Sequence, residues 1–354
     1  MVTKTIIVNP VSPEPAAIHE AASVIRRGGL VAFPTETVYG LGANALDADA
    51  VRKIFAAKDR PASDPLIVHI AALAQLDEIA EQIPPLARAL TAAFWPGPLT
   101  LVLKRRAIVP ANVAAGRETV AVRMPAHPVA QALCAASGVP IAAPSANLFS
   151  RTSPTEAAHV LEDLAGRIEL LLDGGPTPIG LESTVLDLTQ SPPVLLRPGG
   201  VALEQLQRLI PEVVFAPRYM ATHSQADAQA SPGMLLKHYS PHAKLRLFAG
   251  APERVLARMR EVAQQAQAGG RSVGIMAPDE EIAQFAGLAA QLVTLGPRDD
   301  LALIGRRVFS SMRELDQHGV ELILVRGFAR EGIGLAIWDR LIRAAEGRVI
   351  DVDL

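Results

Sequence analysis

The stretch LVAFPTETVYGLGANA, residues 30–45, runs from an apolar segment into a loop rich in hydroxyl groups and glycine. The segment LVAFPT at 30–35 predicts a buried strand, and the polar loop starts where that strand ends. Because open α/β sheets bind ligands at strand ends, the loop's hydroxyls and the carboxylate of Glu36 are candidate ligand-binding groups. A glycine turn with solvated polar residues is the alternative, since a G-x-G spacing is weak evidence by itself.

Strand-like and helical patterns alternate on both sides of this stretch, up to residue 210. Apolar and β-branched runs predict further strands in TIIVN (5–9), PLIVHI (65–70), LTLVLK (99–104), TVAVRM (119–124) and VPIAAP (139–144), followed by IELLLD, STVLDLT and PVLLR. Helical spacing predicts helices over 14–28, 49–58, 72–94 with a break at Pro84–Pro85, 127–137 and 155–166. Parallel and antiparallel connections both fit this order, so the pattern favours a mixed sheet with helices.

The C-terminal part predicts a smaller α/β domain. Its strand-like runs are KLRLFAG, RSVGIMAP, AQLVTLG and VELILVRG, and its helical patterns cover 252–268, 279–287, 299–317 and 333–346. This regular alternation is typical of a parallel sheet wrapped by helices. Residues 211–244 differ, because weak periodicity, small polar residues and prolines are typical of a linker. We therefore predict domains at 1–210 and 245–354, joined by the linker 211–244.

Composition and charge exclude several classes of protein. The 354 residues are 49% hydrophobic and 20% charged, which is typical of a globular chain of two or three domains. No apolar run is long enough for a membrane helix and no secretory signal is visible, so we expect a cytoplasmic protein without membrane contact. The net charge of −2 and the aromatic content of 4% give no support for a nucleic-acid-binding surface. A single cysteine, Cys134, excludes an intramolecular disulfide framework.

Several familiar motifs are absent from the sequence. There is no G-x-S-x-G elbow, no P-loop, and no dinucleotide fingerprint after the first strand of the C-terminal part. His238 and His242 have an H-x3-H spacing, but they lie in a proline-containing loop with no obvious third ligand. We therefore predict no metal held by the protein itself.

Two basic residues and one histidine are candidates for binding ligands. Lys58 and Arg60 lie where the helix over 49–58 gives way to a loop, and an amine and a guanidinium both suit phosphate oxygens. A solvated helix end, where cations complement the helix dipole, is the alternative for this pair. His69 lies within an apolar strand, where a histidine is more often a core residue than a ligand.

Arg123 is predicted to bind an anion. It alternates with Val120 and Val122 along a strand, so in a regular strand it faces away from both. An arginine flanked by such residues is partly buried and needs a negatively charged partner. The partner is either a carboxylate of the protein or a carboxylate of a substrate, and the sequence leaves both open.

Hydroxyl and amide side chains gather in two later loops. In PIAAPSANLFSRTSPT (140–155), hydrogen-bond donors for an anion or a carbonyl are offered by Ser145, Asn147, Ser150 and Ser153. N-capping of the next helix by Ser153 or Thr155 is the alternative there. In the last loop cluster, Ser183 and Thr184 start a strand, and Arg197 ends another beside Pro198-Gly199-Gly200.

Taken in order, these clusters resemble the YrdC-like family of threonylcarbamoyl-AMP synthases. The motifs that carry the resemblance are PTETVYGLG, K-x-R-P-x(3)-PLIVH, FWPGPLT, VAVRMP, PSAN and STV…RPG, which span residues 15–205. The segment S-P-G-M…K-H-Y-S-P and the α/β tail resemble the long, two-domain form. The resemblance implies a YrdC-like twisted mixed sheet followed by a Rossmann-like parallel-sheet domain.

The resemblance also implies an activity. Family members make threonylcarbamoyl-AMP from L-threonine, bicarbonate and ATP, and release pyrophosphate. The product is passed to a transferase complex for N6-threonylcarbamoyl modification of adenosine 37 in tRNA. Mg²⁺ is implied together with ATP, and direct tRNA binding is expected to be weak or absent.

Site residues follow from the motif positions. Lys58 and Arg60 are implied as the catalytic residues, which act by charge neutralisation. The positions implied for L-threonine are Thr37, His69, Arg123, Ala143 and Ser183. The positions implied for ATP are Lys58, Arg60, Asp64, Thr119, Ser145, Asn147, Ser153, Arg197, His238 and Tyr239. His238 and Tyr239 belong to the linker, which resembles a lid over the bound nucleotide. Asp64 departs from many relatives, which have Asn there, and a carboxylate beside ATP repels phosphate unless Mg²⁺ or a basic neighbour compensates it.

Two other functions remain as alternatives. One is an RNA-binding module of the same fold, which a salt titration of RNA binding would detect. The other is carbamoyl transfer to a different acceptor, which a test of amino-acid specificity would detect.

Overall fold

The computed structural model describes residues 2–215 and 238–353, which fall into two compact units. The larger unit contains residues 2–149 and 153–215, and the smaller unit contains 150–152 and 238–353. Most of the predicted linker and lid, residues 216–237, lies outside the described residues. The predicted domain limits and the lid therefore stay predictions.

The larger unit contains a mixed sheet with helices. Its described strands are β1 (Lys4–Ile7), β2 (Val31–Phe33), β3 (Gly40–Asn44), β4 (Ile67–His69), β5 (Ala80–Glu81), β6 (Leu99–Arg105), β7 (Thr119–Arg123), β8 (Ile141–Ala142), β9 (Leu170–Asp173), β10 (Thr184–Asp187), β11 (Val194–Arg197) and β12 (Val214–Phe215). Its described helices are α1 (Pro15–Arg26), α2 (Ala48–Lys58), α3 (Leu73–Ile79), α4 (Pro85–Phe94), α5 (Pro128–Ser137), α6 (Ala157–Leu164) and α7 (Leu203–Gln207). Apolar side chains are buried on both faces of this sheet.

Strand order confirms the predicted mixed sheet. The order is β1-β9-β2-β3-β8-β4-β7-β6-β10-β11-β12, with β5 paired to β6 outside this path. Parallel pairs such as β4·β7 and β6·β10 alternate with antiparallel pairs such as β6·β7 and β10·β11. At the centre of this order, β4, β7, β6 and β10 bring together residues that are far apart in sequence.

Local signals explain where the helix beside the predicted site begins and ends. The carboxylate of Asp47 caps α2 by accepting hydrogen bonds from the backbone N–H groups of Asp49 and Ala50. Asp59 ends the helix in the left-handed conformation, with φ of 53°, which aspartate tolerates better than most residues. The turn at Asp59 separates Lys58, in the last helical turn, from Arg60, in the loop.

Three predictions for this unit need correction. Residues 40–44, predicted as loop, form β3, because pairing with β2 and β8 satisfies their backbone groups despite two glycines. The predicted helices over 72–94 break at the prolines, but strand β5 lies between them. The helix predicted from Thr155 starts at Ala157 with Glu156 as its N-cap residue, so neither Ser153 nor Thr155 caps it.

The smaller unit contains a parallel sheet in the order β15-β14-β16-β13-β17. Its described elements are β13 (Lys244–Ala249), α8 (Pro252–Ala268), β14 (Val273–Ala277), α9 (Asp279–Ile282), a 3₁₀ turn (Ala283–Phe285), β15 (Ala290–Thr294), α10 (Leu301–Gln317), β16 (Leu322–Arg326), α11 (Gly334–Ala344) and β17 (Val349–Asp351). The fifth strand, β17, was not predicted, since its three residues carry no alternating pattern. Across the two described ranges, no helix is long and apolar enough to cross a bilayer.

Candidate functional site

His69 and Arg123 lie side by side in the centre of the larger sheet. Strands β4 and β7 pair in parallel, and their register places His69 opposite Arg123. Both side chains are buried, with 3% of each residue exposed. Val120 and Val122 belong to the apolar cluster on one face of β7, and Ala121 to the cluster on the other, so the alternation predicted for this strand is regular.

The guanidinium of Arg123 is held by three contacts. Its Nε donates a hydrogen bond to the carbonyl of Gly97 at 3.2 Å, and its Nη1 donates to Thr37 Oγ1 at 2.9 Å. Its Nη2 lies 2.6 Å from Glu36 Oε1. Glu36 is therefore the protein carboxylate that the sequence allowed as one possible partner of Arg123.

The loop that carries Glu36 and Thr37 is buried and fixed by hydrogen bonds. Thr35 and Thr37 share a hydrogen bond of 2.7 Å between their hydroxyls, and Thr35 Oγ1 also donates to the carbonyl of Val38. The backbone N–H groups of Ile179 and Gly180 donate to the carbonyls of Glu36 and Thr37. The alternative of a glycine turn with solvated polar residues is therefore wrong for residues 35–37.

His69 is neutral at physiological pH. Burial, together with the adjacent charge of Arg123, lowers the pKa of His69 to about 3. Its Nδ1 lies 3.3 Å from the carbonyl of Ile67, which can only accept, so the proton is on Nδ1. Nε2 is then a hydrogen-bond acceptor.

Replacement of His69 by glutamine is expected to flatten the pH dependence of stability. Below pH 6.5 the unfolded chain binds a proton at His69 that the folded protein does not, so the free energy of unfolding falls as pH falls. Between pH 6.5 and pH 5 this contributes a loss of about 1.5 kcal/mol to the wild type. Urea unfolding of both proteins at pH 6.5 and pH 5 measures the free energy of unfolding at each pH. An equal loss of stability between the two pH values in the wild type and the variant would show that His69 is protonated in the folded protein.

Ser183, Arg197 and Thr100 form a second buried group. Arg197 donates from Nε and Nη2 to the carbonyl of Ser183, and from Nη2 to its hydroxyl at 3.2 Å. The Ser183 hydroxyl also lies 2.8 Å from Thr100 Oγ1. Gly199 allows this close packing, because a Cβ there would lie 2.3 Å from the carbonyl oxygen of Glu182. A residue predicted for L-threonine and one predicted for ATP are thus in direct contact.

Lys58 is a buried residue rather than a solvated helix end. Its Nζ donates hydrogen bonds to the carbonyls of Ser145 and Asn147, and 1% of the residue is exposed. Burial lowers the pKa of Lys58 well below its ordinary value, and the charge of Arg60 adds to the shift. The amine therefore ties the PSAN segment to the end of α2.

Arg60 compensates the charge of Asp64. Arg60 Nη2 lies 2.9 Å from Asp64 Oδ2, and the same nitrogen donates to the carbonyl of Pro65 at 2.8 Å. Both residues are buried. A basic neighbour thus meets the condition under which a carboxylate at this position is compatible with phosphate.

The remaining predicted residues lie in different places. Ser153 is buried and donates a hydrogen bond to Glu182 Oε1. Ala143 follows β8, and its N–H donates to the carbonyl of Ile67. Thr119 starts β7 and so lies at the opposite end of that strand from Arg123. His238 and Tyr239 belong to the smaller unit, where the Tyr239 ring packs against Phe309.

Two further buried carboxylates contact residues that were predicted for the substrates: Glu36, a candidate from the first polar loop, and Glu182, which was not predicted. Glu36 pairs with Arg123, and Glu182 accepts from Ser153. Glu182 directly precedes the predicted Ser183, and that adjacency is the signal that would have found it.

The described side chains do not by themselves form a set of ligands for a metal ion. Within the described ranges, no group of three or more histidine, cysteine or acidic side chains could hold a metal ion. Asp64 is paired with Arg60.

Comparison with protein families gives two matches that together cover most of the chain. The Sua5/YciO/YrdC family, described as telomere recombination, matches residues 23–199. A family described as the C-terminal domain of threonylcarbamoyl-AMP synthase matches residues 201–346.

Individual relatives match over nearly the full length. The chain is 46% identical to the threonylcarbamoyl-AMP synthase of Pyrococcus abyssi, over 95% of this chain and 96% of that protein. It is 45% identical to the threonylcarbamoyl-AMP synthase of Bacillus subtilis, over 97% of both. The crystal structure of P. abyssi Sua5 complexed with L-threonine superposes with a TM-score of 0.92, at 45% identity over 99% of each chain.

Proposed function

The chain belongs to the two-domain Sua5/YrdC family of threonylcarbamoyl-AMP synthases, and from this we propose how its own residues bind the substrates. Its activity is the synthesis of threonylcarbamoyl-AMP, which belongs to the pathway of tRNA threonylcarbamoyladenosine formation. The roles of individual residues in this activity are proposals for this chain.

The reaction joins three substrates in two steps. The neutral amine of L-threonine attacks the carbon of bicarbonate, which forms an N–C bond and releases water to give a carbamate. A carbamate oxygen then attacks the α-phosphorus of ATP, and the bond to the β,γ-diphosphate breaks to release pyrophosphate. Neither step needs a protein nucleophile, so orientation and charge neutralisation are the contributions expected of the chain.

The group around Arg123 suits L-threonine. An arginine orients a carboxylate through paired N–H donors, and the N–H groups of Nη2 make no hydrogen bond to any described residue. Neutral His69 offers Nε2 as an acceptor for the substrate hydroxyl, and Thr37 and Ser183 offer hydroxyls. Ala143, which is small and buried, suits the substrate methyl group.

The group around Lys58 suits ATP. Lys58 and Arg60 compensate phosphate charge, together with Arg197 from the Ser183 group, and Asp64 stays paired with Arg60. Further hydrogen bonds are offered by Ser145, Asn147, Ser153 and Thr119. The contact between Ser183 and Arg197 supports placing the two groups in one site, so that the carbamate and the α-phosphate can meet. This contact is the observation that carries the assignment of both substrates.

The remaining components are proposed from the chemistry. Mg²⁺ is expected to enter with ATP, because it is commonly bound through substrate phosphates rather than in a cage of protein ligands. We propose that the product passes to a tRNA threonylcarbamoyl-transferase complex and that the protein acts in the cytoplasm. His238 and Tyr239 are proposed to contribute to nucleotide binding.

Pyrophosphate release with single omissions tests the proposal. We expect release from ATP and Mg²⁺ that requires both L-threonine and bicarbonate, and threonylcarbamoyl-AMP as the product by mass spectrometry. Release with neither co-substrate would instead indicate a plain nucleotide hydrolase. Product formation with another amino acid, at a higher kcat/KM than with L-threonine, would contradict the assigned acceptor.

A further inference from the structure

Glu36 is buried beside Arg123 with unused hydrogen-bonding capacity. Its Oε1 lies 2.6 Å from Arg123 Nη2, and 7% of the residue is exposed. Among the described residues, neither carboxylate oxygen of Glu36 has a hydrogen-bond partner, and Arg123 Nη2 has none either. The pair is therefore in charge contact without the alignment of a hydrogen bond, and buried groups in that condition are costly unless a ligand completes them.

Counted over the described residues, Arg123, Glu36 and His69 together carry no net charge. Arg123 carries one positive charge and Glu36 one negative charge, while burial keeps His69 neutral. His127 also faces Glu36, and burial lowers its pKa, although the charge of Glu36 opposes that shift. Its Nδ1 accepts a hydrogen bond from the N–H of Val129, as expected of a neutral ring.

A site for a simple carboxylate would carry a net positive charge, whereas this one offers adjacent opposite charges. An α-amino acid has the complementary arrangement, because its ammonium and carboxylate are attached to the same carbon. The carboxylate of the protein pair can then contact the ligand's ammonium, and the guanidinium can contact the ligand's carboxylate. These contacts replace the hydrogen bonds with water that both ligand groups lose on binding.

We propose that Glu36 binds the α-ammonium group of the amino-acid substrate while Arg123 binds its carboxylate. This rests on the proposed function of the Arg123 group as the L-threonine site. Glu36 then makes the site select α-amino acids over other carboxylates.

The test compares two ligands and three proteins by titration calorimetry without ATP. The ligands are L-threonine and 2,3-dihydroxybutanoate, which has a hydroxyl where L-threonine has its ammonium. The proteins are the wild type, Glu36→Gln, and Asp187→Asn as a matched control. Asp187 is a buried carboxylate in the same sheet, and its side chain binds Thr189.

The two ligands are expected to respond to Glu36→Gln in opposite directions. L-threonine should bind about 10- to 100-fold more weakly, because its ammonium loses a charged acceptor. The hydroxy acid should bind equally well or more tightly, because the site gains net positive charge. Asp187→Asn should change neither affinity by more than about twofold, since the substitution leaves the surroundings of Arg123 and Glu36 unaltered.

Each other outcome overturns a distinct claim. Equal weakening of both ligands by Glu36→Gln would mean that Glu36 only supports Arg123. Equal affinity of the wild type for both ligands would exclude an ammonium contact without relying on any variant. A wild type that binds neither ligand would overturn the proposed L-threonine site together with the role of Glu36.

Discussion

Replacement of Arg123 by lysine is expected to raise the KM for L-threonine by about 100-fold or more, with the KM for ATP changed less than about threefold. Lysine keeps the positive charge beside Glu36 but loses the planar arrangement of N–H donors. The contacts with Gly97 and Thr37 come from two different nitrogens of the guanidinium, Nε and Nη1, whereas lysine offers a single nitrogen. The substrate carboxylate therefore loses both its donors and their orientation.

Lysine is a better choice than alanine for this measurement. Arg123→Ala would also weaken L-threonine binding strongly, but it would leave the carboxylate of Glu36 buried without its charge partner. Breaking a buried ion pair in this way destabilises a protein by about 3–5 kcal/mol, so a loss of activity could reflect unfolding. Arg123→Lys avoids that cost.

Steady-state pyrophosphate release at varied L-threonine and at varied ATP gives the two KM values. Arg105→Lys is a suitable control, because Arg105 ends the neighbouring strand β6 and donates to backbone carbonyls away from His69 and Thr37. Equal increases in both KM values for Arg123→Lys, in folded protein, would contradict the separation of the two substrate groups.

The burial of Arg123 could be predicted from sequence, but its partner could not. Alternation with Val120 and Val122 is a local pattern, and it fixes which face of β7 each side chain occupies. Glu36 lies on a distant loop that reaches Arg123 only because β2, β3 and β7 belong to one sheet. The choice between a protein carboxylate and a substrate carboxylate therefore depended on tertiary structure.

The difference between local sequence patterns and tertiary contacts also explains the errors in the predicted fold. Residues 40–44 contain two glycines and have weak strand propensity, yet they form β3 because strands on both sides supply hydrogen-bond partners. Strand β17 has three residues, and its pairing with β13 defines it. Ser153 precedes a helix, where capping is the local expectation, but its hydroxyl donates a hydrogen bond to the carboxylate of Glu182 instead.

The surroundings of Lys58 also differ from what the sequence indicates. A lysine in the last turn of a helix beside a loop is usually solvated, and its interaction with the helix dipole is sufficient explanation. In the structure, the amine instead joins two carbonyls of the segment that contains Ser145 and Asn147. Lys58 is thus a positioning residue for the proposed ATP group, and any contact with phosphate adds to that role.

Replacement of Lys58 by methionine is expected to raise the KM for ATP by about 10- to 100-fold while L-threonine binding in the absence of ATP stays within about twofold. Methionine fills much of the same volume but cannot donate hydrogen bonds. The carbonyls of Ser145 and Asn147 then lose the amine, and the segment between them loses its connection to α2. Arg123, His69 and Thr37 keep all of their observed contacts.

Lys53→Met provides the matched control on the same helix. Lys53 also donates its Nζ to a backbone carbonyl at 2.6 Å, but that carbonyl belongs to Gly28 and not to the PSAN segment. Both variants therefore lose one amine and its carbonyl contacts, and only Lys58→Met alters the proposed ATP group.

Binding of a non-hydrolysable ATP analogue and of L-threonine, each by calorimetry, separates the two effects. Equal loss of ATP affinity in both variants, or a loss of L-threonine affinity as large as that for ATP in Lys58→Met, would show that Lys58 supports the fold in general. A selective loss would place the 145–147 segment at the nucleotide, because the hydrogen bonds that Lys58→Met removes among the described residues are those to its two carbonyls.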